Sequence, residues 1–294
     1  MALKTVKQYL DYSCQRFKSA GFSEPEKEAL ALLSAVKKES LEKILTHPEA
    51  KISKLVFWKS NYFLKKRLKG WSLAALTHKK EFYGRQFAVN SKVLIPRPET
   101  ELLVDLALKT ARKLNSKTEI IDLGTGSGAI IISLALELKS AANYYASDIS
   151  RAALTVAKNN GRRFGLKINW KKGKLLTPHQ EILKSAKHLI IVANLPYLKP
   201  EQLAEPSIKR EPLLALVSGK DGLNHYRQLF LQIASSNQLP QSFTLLAEID
   251  PNQTELIKKL AHASLERLSL TFFKDYSGKN RFFKLTNTAH LQDD

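Results

Sequence analysis

A tetrapeptide, Asn194-Leu195-Pro196-Tyr197, directly follows an apolar run at 189–193 that is typical of a buried strand. The Asn194 side-chain oxygen and the Leu195 main-chain carbonyl can each accept one N–H of an –NH2 group. Pro196 fixes the turn, and the Tyr197 ring can cover a flat, conjugated group. These three functions together indicate an amide or an exocyclic amine as the reacting group.

The nitrogen of such a group is a poor nucleophile because its lone pair is delocalised. Accepting both N–H bonds raises the electron density on the nitrogen and directs its lone pair at an electrophilic methyl group. Catalysis would then consist mainly of positioning and polarisation. The alternative interpretation is that asparagine and proline only form a turn after the strand.

A glycine loop, Asp122-Leu123-Gly124-Thr125-Gly126-Ser127-Gly128, follows an earlier strand candidate and leads into a helix. Glycines let the backbone approach a ligand closely at the carboxyl end of a strand, and the GxGxG spacing differs from the GxGxxG dinucleotide fingerprint. Asp148 follows Gly128 by 20 residues, where a carboxylate can accept hydrogen bonds from both ribose hydroxyls. The pair predicts an adenosine-containing cofactor. The alternatives are a plain glycine connector and a helix N-cap at Asp148, a role that Ser150 could fill instead.

Strand and helix patterns alternate from residue 96 onward. Helices are predicted at 99–114, 127–139, 150–164 and 221–236, and strands at 119–122, 143–148, 189–193, 243–247, 268–273 and 281–285. Such alternation predicts an α/β fold with a mostly parallel sheet and helices on both faces. The glycine loop, Asp148 and the tetrapeptide would then all lie at carboxyl ends of strands.

The first 70 residues are predicted to be helical. Ser23-Glu24-Pro25-Glu26 has the capping-box spacing, and Ser53 can cap a later helix that Gly70 would end. Alternating apolar residues from Phe82 to Ile95 then predict a β-hairpin. The predicted organisation is therefore a helical domain at 1–75, a β-hairpin connector at 76–95 and the α/β domain at 96–294.

The order of the glycine loop, Asp148 and the tetrapeptide resembles that of class I S-adenosylmethionine methyltransferases acting on planar nitrogen. Further segments narrow the resemblance to the HemK/PrmC family, the peptide chain release factor glutamine N5-methyltransferases. These segments are Glu81-Phe82-Tyr83-Gly84, Val93-Leu94-Ile95-Pro96-Arg97-Pro98-Glu99-Thr100-Glu101, Arg210-Glu211-Pro212 and Gly222-Leu223. The resemblance extends from about residue 70 to the end of the chain.

The resemblance implies a Rossmann-like, mostly parallel seven-stranded sheet, a small N-terminal helical domain and S-adenosyl-L-methionine as cofactor. It assigns to the cofactor Gly124, Thr125, Gly126, Ser127, Gly128, Asp148, Leu175 and Asn194. It assigns catalysis and substrate binding to Asn194, Leu195, Pro196 and Tyr197, with Arg97 as a further substrate-binding residue. The substrate would be the glutamine of the Gly-Gly-Gln motif in class I release factors, which the helical domain helps to hold.

Three departures from the family pattern stand out. Leu195 replaces the usual proline, but the acceptor there is a main-chain carbonyl, so the chemistry should survive with a looser turn. Lys174 follows Gly173 where an acidic residue is common, on the adenine side of the cofactor. The segment 75–78 departs from the usual hairpin approach. The segment around Arg97 also has a second interpretation, as a rigid proline-framed exit from the hairpin.

Charge is the unusual feature of the composition, with 47 Lys plus Arg against 27 Asp plus Glu and a formal net charge of +20. Residues 51–85 carry 10 basic residues and one acidic residue, and residues 151–174 carry 8 basic residues and no acidic one. The alternatives are an electropositive surface for RNA or an acidic partner, and a solvated lysine-rich face. The block 51–85 could meet a release factor or nearby ribosomal RNA.

Several other classes are disfavoured. No apolar run approaches the roughly 20 residues of a membrane span, no secretory signal is visible, and the single cysteine, Cys14, excludes an internal disulfide framework. A cytoplasmic location is therefore expected. None of the 7 histidines has metal-ligand spacing, so we expect no metal. The rival functions are methylation of an exocyclic amine in RNA or DNA, and a non-catalytic binding protein of the same fold.

Overall fold

The computed structural model describes residues 5–114, 116–204, 211–236 and 238–287. Its contacts divide the chain into two units, Met1–His78 and Lys79–Asp294. The hairpin that the sequence predicts as a connector lies in the second unit. None of the described helices is long and apolar enough to cross a membrane.

The first unit is helical. Its helices are α1 (Val6–Ser19), α2 (Pro25–Lys37), α3 (Leu41–Thr46), α4 (Lys54–Arg67) and α5 (Leu73–Thr77). The predicted cap at Ser53 is confirmed, since its hydroxyl accepts from the Val56 N–H. The predicted capping box at Ser23 is wrong. Helix α2 begins at Pro25 with Glu24 as its N-cap, and no side chain makes the capping bond. The core of this helical unit is built on Tyr9, Phe17, Leu32, Leu33 and Phe63.

The second unit begins with a two-stranded hairpin, β1 (Lys79–Phe82) and β2 (Arg85–Ala88). Its turn has φ of 51° at Tyr83 and 67° at Gly84, and two positive φ values match the twist of a tight hairpin. Phe82 and Phe87 are fully buried in the same apolar cluster as helix residues of this unit.

A seven-stranded sheet forms the centre of the second unit, in the order β5-β4-β3-β6-β7-β9-β8. The strands are β3 (Thr118–Leu123), β4 (Ala142–Asp148), β5 (Asn169–Lys172), β6 (His188–Ala193), β7 (Ser242–Glu248), β8 (Ser269–Lys274) and β9 (Asn280–Thr286). The first five strands in this order are parallel, and β9 is antiparallel to both of its neighbours. The predicted mostly parallel seven-stranded sheet is therefore confirmed.

Helices accompany the strands as α6 (Glu101–Lys113), α7 (Ala129–Leu138), α8 (Arg151–Arg163), α9 (Gln180–Ser185), α10 (Asn224–Ala234) and α11 (Thr254–Leu265). Alternate residues of a strand point to opposite faces, so Ile120 and Ile121 of β3 belong to two different cores. One core contains residues of α6 and α7, and the other contains residues of α9, α10 and α11. The sheet is thus buried on both faces, which fixes the positions of its strand ends.

Candidate active site

Three neighbouring strands deliver the polar groups of the site. Strands β4 and β6 flank β3, and all three are parallel. Their carboxyl ends therefore meet at one edge of the sheet, which places Gly124, Asp148 and Asn194 around one cavity. Leu175, Leu195 and Pro196 line the same cavity. The structure thus brings together residues that are separated by up to 72 positions in the chain.

Asp148 holds the glycine loop. Its Oδ2 accepts from the Gly126 N–H at 3.0 Å, and its Oδ1 accepts from the Ser150 N–H at 2.8 Å. The N-cap of α8 is Ser150, whose hydroxyl accepts from the Ala153 N–H at 3.2 Å. The N-cap alternative for Asp148 is therefore wrong. Its carboxylate, 9% exposed, keeps lone pairs on the cavity side, and burial raises its pKa.

The glycine loop itself contains two kinds of glycine. Gly124 lines the cavity, and a Cβ there would lie 3.2 Å from the Leu195 side chain. Gly128 is the N-cap of α7 with φ of +81°, and a Cβ there would lie 3.0 Å from Ile132 of the same helix and 3.3 Å from Ala157 of α8. Gly124 thus leaves space at the cavity wall, whereas Gly128 serves close packing between helices.

Thr125 and Ser127 are buried behind the loop. The Thr125 hydroxyl donates to Asp122 Oδ2 at 2.6 Å, and burial raises the pKa of Asp122 to about 7. The Ser127 carbonyl accepts from Asn160 Nδ2 at 2.9 Å, and the same Asn160 bonds the backbone of Ala88 in the hairpin. The side chains of these two residues therefore hold the glycine loop in shape and do not line the cavity.

The Asn194 side chain is held in one orientation. Its Nδ2 donates to Thr100 Oγ1 at 3.0 Å and to Glu248 Oε2 at 2.9 Å. An ionised carboxylate can only accept, so the amide must present its nitrogen to Glu248 and its oxygen away from it. Within the described chain, no group donates to Asn194 Oδ1 or to the Leu195 carbonyl. Two acceptors are thus left open beside the cavity.

Glu248 organises this part of the site. It is the last residue of β7, is 1% exposed, and accepts from Thr100 Oγ1 at 2.6 Å and from the Tyr197 hydroxyl at 3.1 Å. Burial raises the pKa of Glu248, whereas its hydrogen bonds from Thr100 and Tyr197 oppose the rise. Burial and the nearby Glu248 carboxylate raise the pKa of Tyr197, so the phenol stays protonated and donates.

A second cavity, of about 190 Å³, also borders the tetrapeptide. It shares Asn194, Leu195 and Pro196 with the first cavity and adds Arg97 and Tyr197. Two cavities that meet at the Asn194 amide are the arrangement that transfer between two bound molecules requires.

Arg97 is tied to the wall of the second cavity. Its guanidinium forms an ion pair with Glu211, which is buried and also accepts from the Ile95 N–H at 3.0 Å. Glu211 thereby fixes the segment that carries Arg97. Arg210, which precedes Glu211 in one of the segments that narrow the family resemblance, lies outside the described residues.

The backbone of Tyr197 is fixed from below. Gln253 Nε2 donates to the Tyr197 carbonyl at 2.9 Å and to the Asp221 carbonyl at 3.1 Å. Gly222, with φ of +79°, lies so close that a Cβ there would overlap the Tyr197 carbonyl oxygen and Gln253 Nε2. This close approach explains why glycine stands at position 222.

The chain matches a family model described as a methyltransferase domain over residues 114–211. A release factor glutamine methyltransferase of Moorella thermoacetica is 35% identical over 286 residues, which cover 95% of this chain and 97% of that protein. Its counterpart in Bacillus subtilis is 34% identical over 285 residues, which cover 95% and 96% of the two chains. This chain belongs to the release factor glutamine methyltransferase family.

The fold agrees with that membership. The hMettl16 catalytic domain, in complex with MAT2A 3′UTR hairpin 6, aligns with a TM-score of 0.52 at 13% identity, covering 78% of this chain and 92% of that one. This likeness shows the fold alone. Like other class I methyltransferases, this member of the family is an α/β protein that uses S-adenosylmethionine.

Sequence reasoning missed two residues of this methyltransferase site, Thr100 and Glu248, as positioning groups for Asn194. Both had a signal in the sequence. Thr100 lies in the segment that narrows the family resemblance, and Glu248 is a charged residue that directly follows the apolar run 243–247. Across the residues that the structure describes, no group of three or more His, Cys, Asp or Glu side chains could hold a metal ion.

Proposed function

We propose that this protein transfers a methyl group from S-adenosyl-L-methionine to the side-chain amide nitrogen of the glutamine in the Gly-Gly-Gln motif of class I release factors. The single observation that supports this best is the pair of open acceptors, Asn194 Oδ1 and the Leu195 carbonyl, at the junction of two cavities. The names of the relatives supply the substrate class.

The residues of the first cavity fit the cofactor. The buried Asp148 carboxylate has lone pairs for ribose hydroxyls, Gly124 and Gly126 present no side chains, and Leu175 offers an apolar surface. S-adenosylmethionine bound there would supply an electrophilic methyl group. Leu175 has φ of +52°, a conformation that is costly for leucine and that persists where the surroundings enforce it.

The residues of the second cavity then act on the amide. Asn194 Oδ1 and the Leu195 carbonyl accept the two N–H bonds of the glutamine –NH2, which raises the electron density on its nitrogen. The Tyr197 ring, fixed through Glu248, covers the planar amide. A proton leaves the nitrogen after methyl transfer, so no strong base is required.

Asn194→Ala tests the proposal directly. We expect kcat for methylation of a release factor to fall roughly 100- to 1,000-fold, by analogy with the loss of one preorganised polar group. Cofactor affinity should change little, because Asp148 and the glycine loop remain. With S-adenosylmethionine labelled in its methyl group, a release factor whose motif glutamine is replaced should take up no labelled methyl. Equal labelling of that variant, or full turnover by Asn194→Ala, would refute the assignment.

We further propose that the helical unit binds the release factor through one face of α4. Leu55, Trp58 and Tyr62 are 75%, 72% and 48% exposed and are spaced so that they share a face. Exposed aromatic residues next to lysines suit a docking surface for an acidic partner. The boundaries of this domain, residues 1–75, stay a prediction from the sequence. Translation factors act in the cytoplasm, so the cytoplasmic location forms part of this proposal.

Trp58→Ala should raise KM for the release factor about tenfold or more, as expected for an exposed tryptophan that becomes buried in an interface. The kcat at saturating factor and the cofactor affinity should be unchanged. Leu231→Ala, at another exposed apolar position (62% exposed), is the matched control and should leave KM unchanged. An unchanged KM in Trp58→Ala would contradict the proposed docking face.

A further inference from the structure

A third concave surface, separate from the two cavities of the candidate active site, lies at the opposite ends of the strands. It is an open cleft of about 980 Å³ at the amino ends of three parallel strands, and we call it the amino-edge cleft. Its walls include Lys117 before β3, Lys139 before β4 and Lys167 before β5. A strand rises about 3.3 Å per residue, so strands of six or seven residues place the cleft roughly 20 Å from the active site.

Five cations converge on this cleft, and no carboxylate of the described residues lines it. They are Lys117, Lys139, Lys158, Arg162 and Lys167. Over the described ranges, none of the five forms an ion pair. Glu119 is turned to the Asn143 amide, from which it accepts at 2.9 Å. Unpaired like charges around a concavity repel one another and attract a polyanion.

The other lining groups suit a nucleic acid strand. Ser140 and Asn169 are exposed and can contact ribose hydroxyls, and the aromatic residues Tyr145 and Trp170, half-buried on opposite faces of the sheet, also line the cleft. Grooves for single strands combine cations that follow the backbone with aromatic surfaces. Four of the five cations are lysines, which contact phosphate as point charges rather than read base edges.

We propose that the amino-edge cleft binds the phosphate backbone of single-stranded RNA with little dependence on base sequence. This goes beyond methyl transfer and does not rest on it, because the cleft and the cofactor cavity have no described lining residue in common. The proposal also bears on the basic block 151–174, which supplies Lys158, Arg162 and Lys167 to the cleft. The two interpretations of this block are a surface for RNA or an acidic partner and a solvated lysine-rich face. A merely solvated face would not bind RNA with these residues.

The test is fluorescence anisotropy of a labelled oligouridylate of about 12 nucleotides with the full chain, titrated at several salt concentrations. The variant Lys139→Glu/Arg162→Glu/Lys167→Glu should bind at least tenfold more weakly. Its salt dependence should also be shallower by about 2 in log–log slope, since each phosphate contact contributes roughly 0.7. The matched control Lys184→Glu/Lys258→Glu/Lys259→Glu changes the same charge on exposed lysines elsewhere and should lose much less affinity.

Four outcomes can overturn the proposal. Equal loss of affinity in the control would make the binding a general charge effect. Loss only in Lys54→Glu/Lys59→Glu/Lys65→Glu would move the RNA site to the helical unit. Displacement of RNA by polyglutamate at equal charge concentration would make the cleft a site for acidic proteins. Oligothymidylate should bind more weakly than RNA, and equal binding would overturn the choice of RNA. Methyl transfer to release factor should persist in the cleft variant, which shows that it is folded.

Discussion

The amide nitrogen of Asn194 lies 2.9 Å from Oε2 of Glu248, and this contact decides which way the amide faces. Glu248 also accepts from Thr100 and Tyr197, so one buried carboxylate positions three side chains from two separate parts of the chain, Thr100 and the tetrapeptide. The acceptor that Asn194 would offer to the proposed substrate amide is therefore set by residues that need not touch the substrate. We infer that Glu248 and Thr100 are positioning residues for the proposed reaction.

Glu248→Gln should lower kcat roughly 100-fold, with a smaller change in cofactor affinity. Tyr197 donates to one carboxylate oxygen, and Thr100 and Asn194 donate to the other. Glutamine has a single acceptor oxygen, so either Tyr197 or the pair Thr100 and Asn194 would face its –NH2 group and lose its fixed position. Steady-state methylation of a release factor at saturating cofactor measures the effect. Thr110→Val is the control for the companion variant Thr100→Val, since the Thr110 hydroxyl only bonds the Leu106 carbonyl of its own helix. Equal kcat values in the two threonine variants would contradict the positioning role.

The pH dependence of kcat should show an acid limb caused by Glu248. Burial raises its pKa, and protonation turns one accepting oxygen into a donor, so activity should fall as the pH falls through this raised pKa. The Thr100 hydrogen bond favours the charged form. Thr100→Val should therefore move the acid limb to higher pH, and Thr110→Val should not. Superimposed kcat profiles for wild type and Thr100→Val would show that another group controls the limb.

Asp148 and Ser150 can be separated by two substitutions. Asp148→Asn should weaken S-adenosylmethionine binding by about tenfold or more, because charge-assisted hydrogen bonds to ribose are lost. Ser150→Ala should cost about 1 kcal/mol of folding stability, the usual loss for an N-cap, and leave cofactor affinity unchanged. Isothermal titration with the cofactor and thermal unfolding measure the two effects. A loss of cofactor affinity in Ser150→Ala alone would reverse the assignment.

The sequence predicts much of this fold because buried strands leave strong patterns. The runs at 119–122, 189–193 and 243–247 all lie in central strands, where both faces are buried and apolar residues are continuous. Strand β5 was not predicted, since Asn169-Trp170-Lys171-Lys172 contains a single apolar residue and lies at the sheet edge. An edge strand needs less burial, so its pattern is weaker.

The candidate site was only partly predictable for a different reason. Asn194 and Asp148 can be identified in the sequence because each is a polar residue at the end of a strand pattern, and their chemistry is local. Glu248 acts through groups that are 51 to 148 positions away in the chain, so its role depends on strand order, which no local pattern contains. The close approach of Gly222 to the Tyr197 backbone is equally a consequence of tertiary structure.

That close approach predicts different outcomes for two glycines with the same backbone conformation. Gly222 and Gly278 both have φ of +79°, but a Cβ meets the Tyr197 carbonyl only at Gly222, and nothing lies within 4 Å of one at Gly278. Either alanine substitution should cost about 1 kcal/mol through backbone strain. Only Gly222→Ala should also displace the tetrapeptide and reduce kcat, by about tenfold or more. Thermal unfolding and methylation assays on both variants check this, and a comparable kcat loss in Gly278→Ala would contradict it.

Asp122 should make folding stability depend on pH near neutrality. Burial raises its pKa from 3.8 to about 7, so the folded protein binds a proton that the unfolded chain releases. Its stabilising contribution is complete below pH about 4, is lost as the pH rises to about 7, and then stays constant.

Asp122→Asn cannot ionise and still accepts from Thr125. Its unfolding midpoint relative to wild type should therefore rise between these two pH values and level off above them, measured without cofactor. Thr125→Val removes the bond that favours the charged carboxylate, so in that variant the fall should continue to higher pH. Parallel pH curves for wild type and Asp122→Asn would show that Asp122 is ionised throughout this range, in which case its burial costs less than the structure indicates.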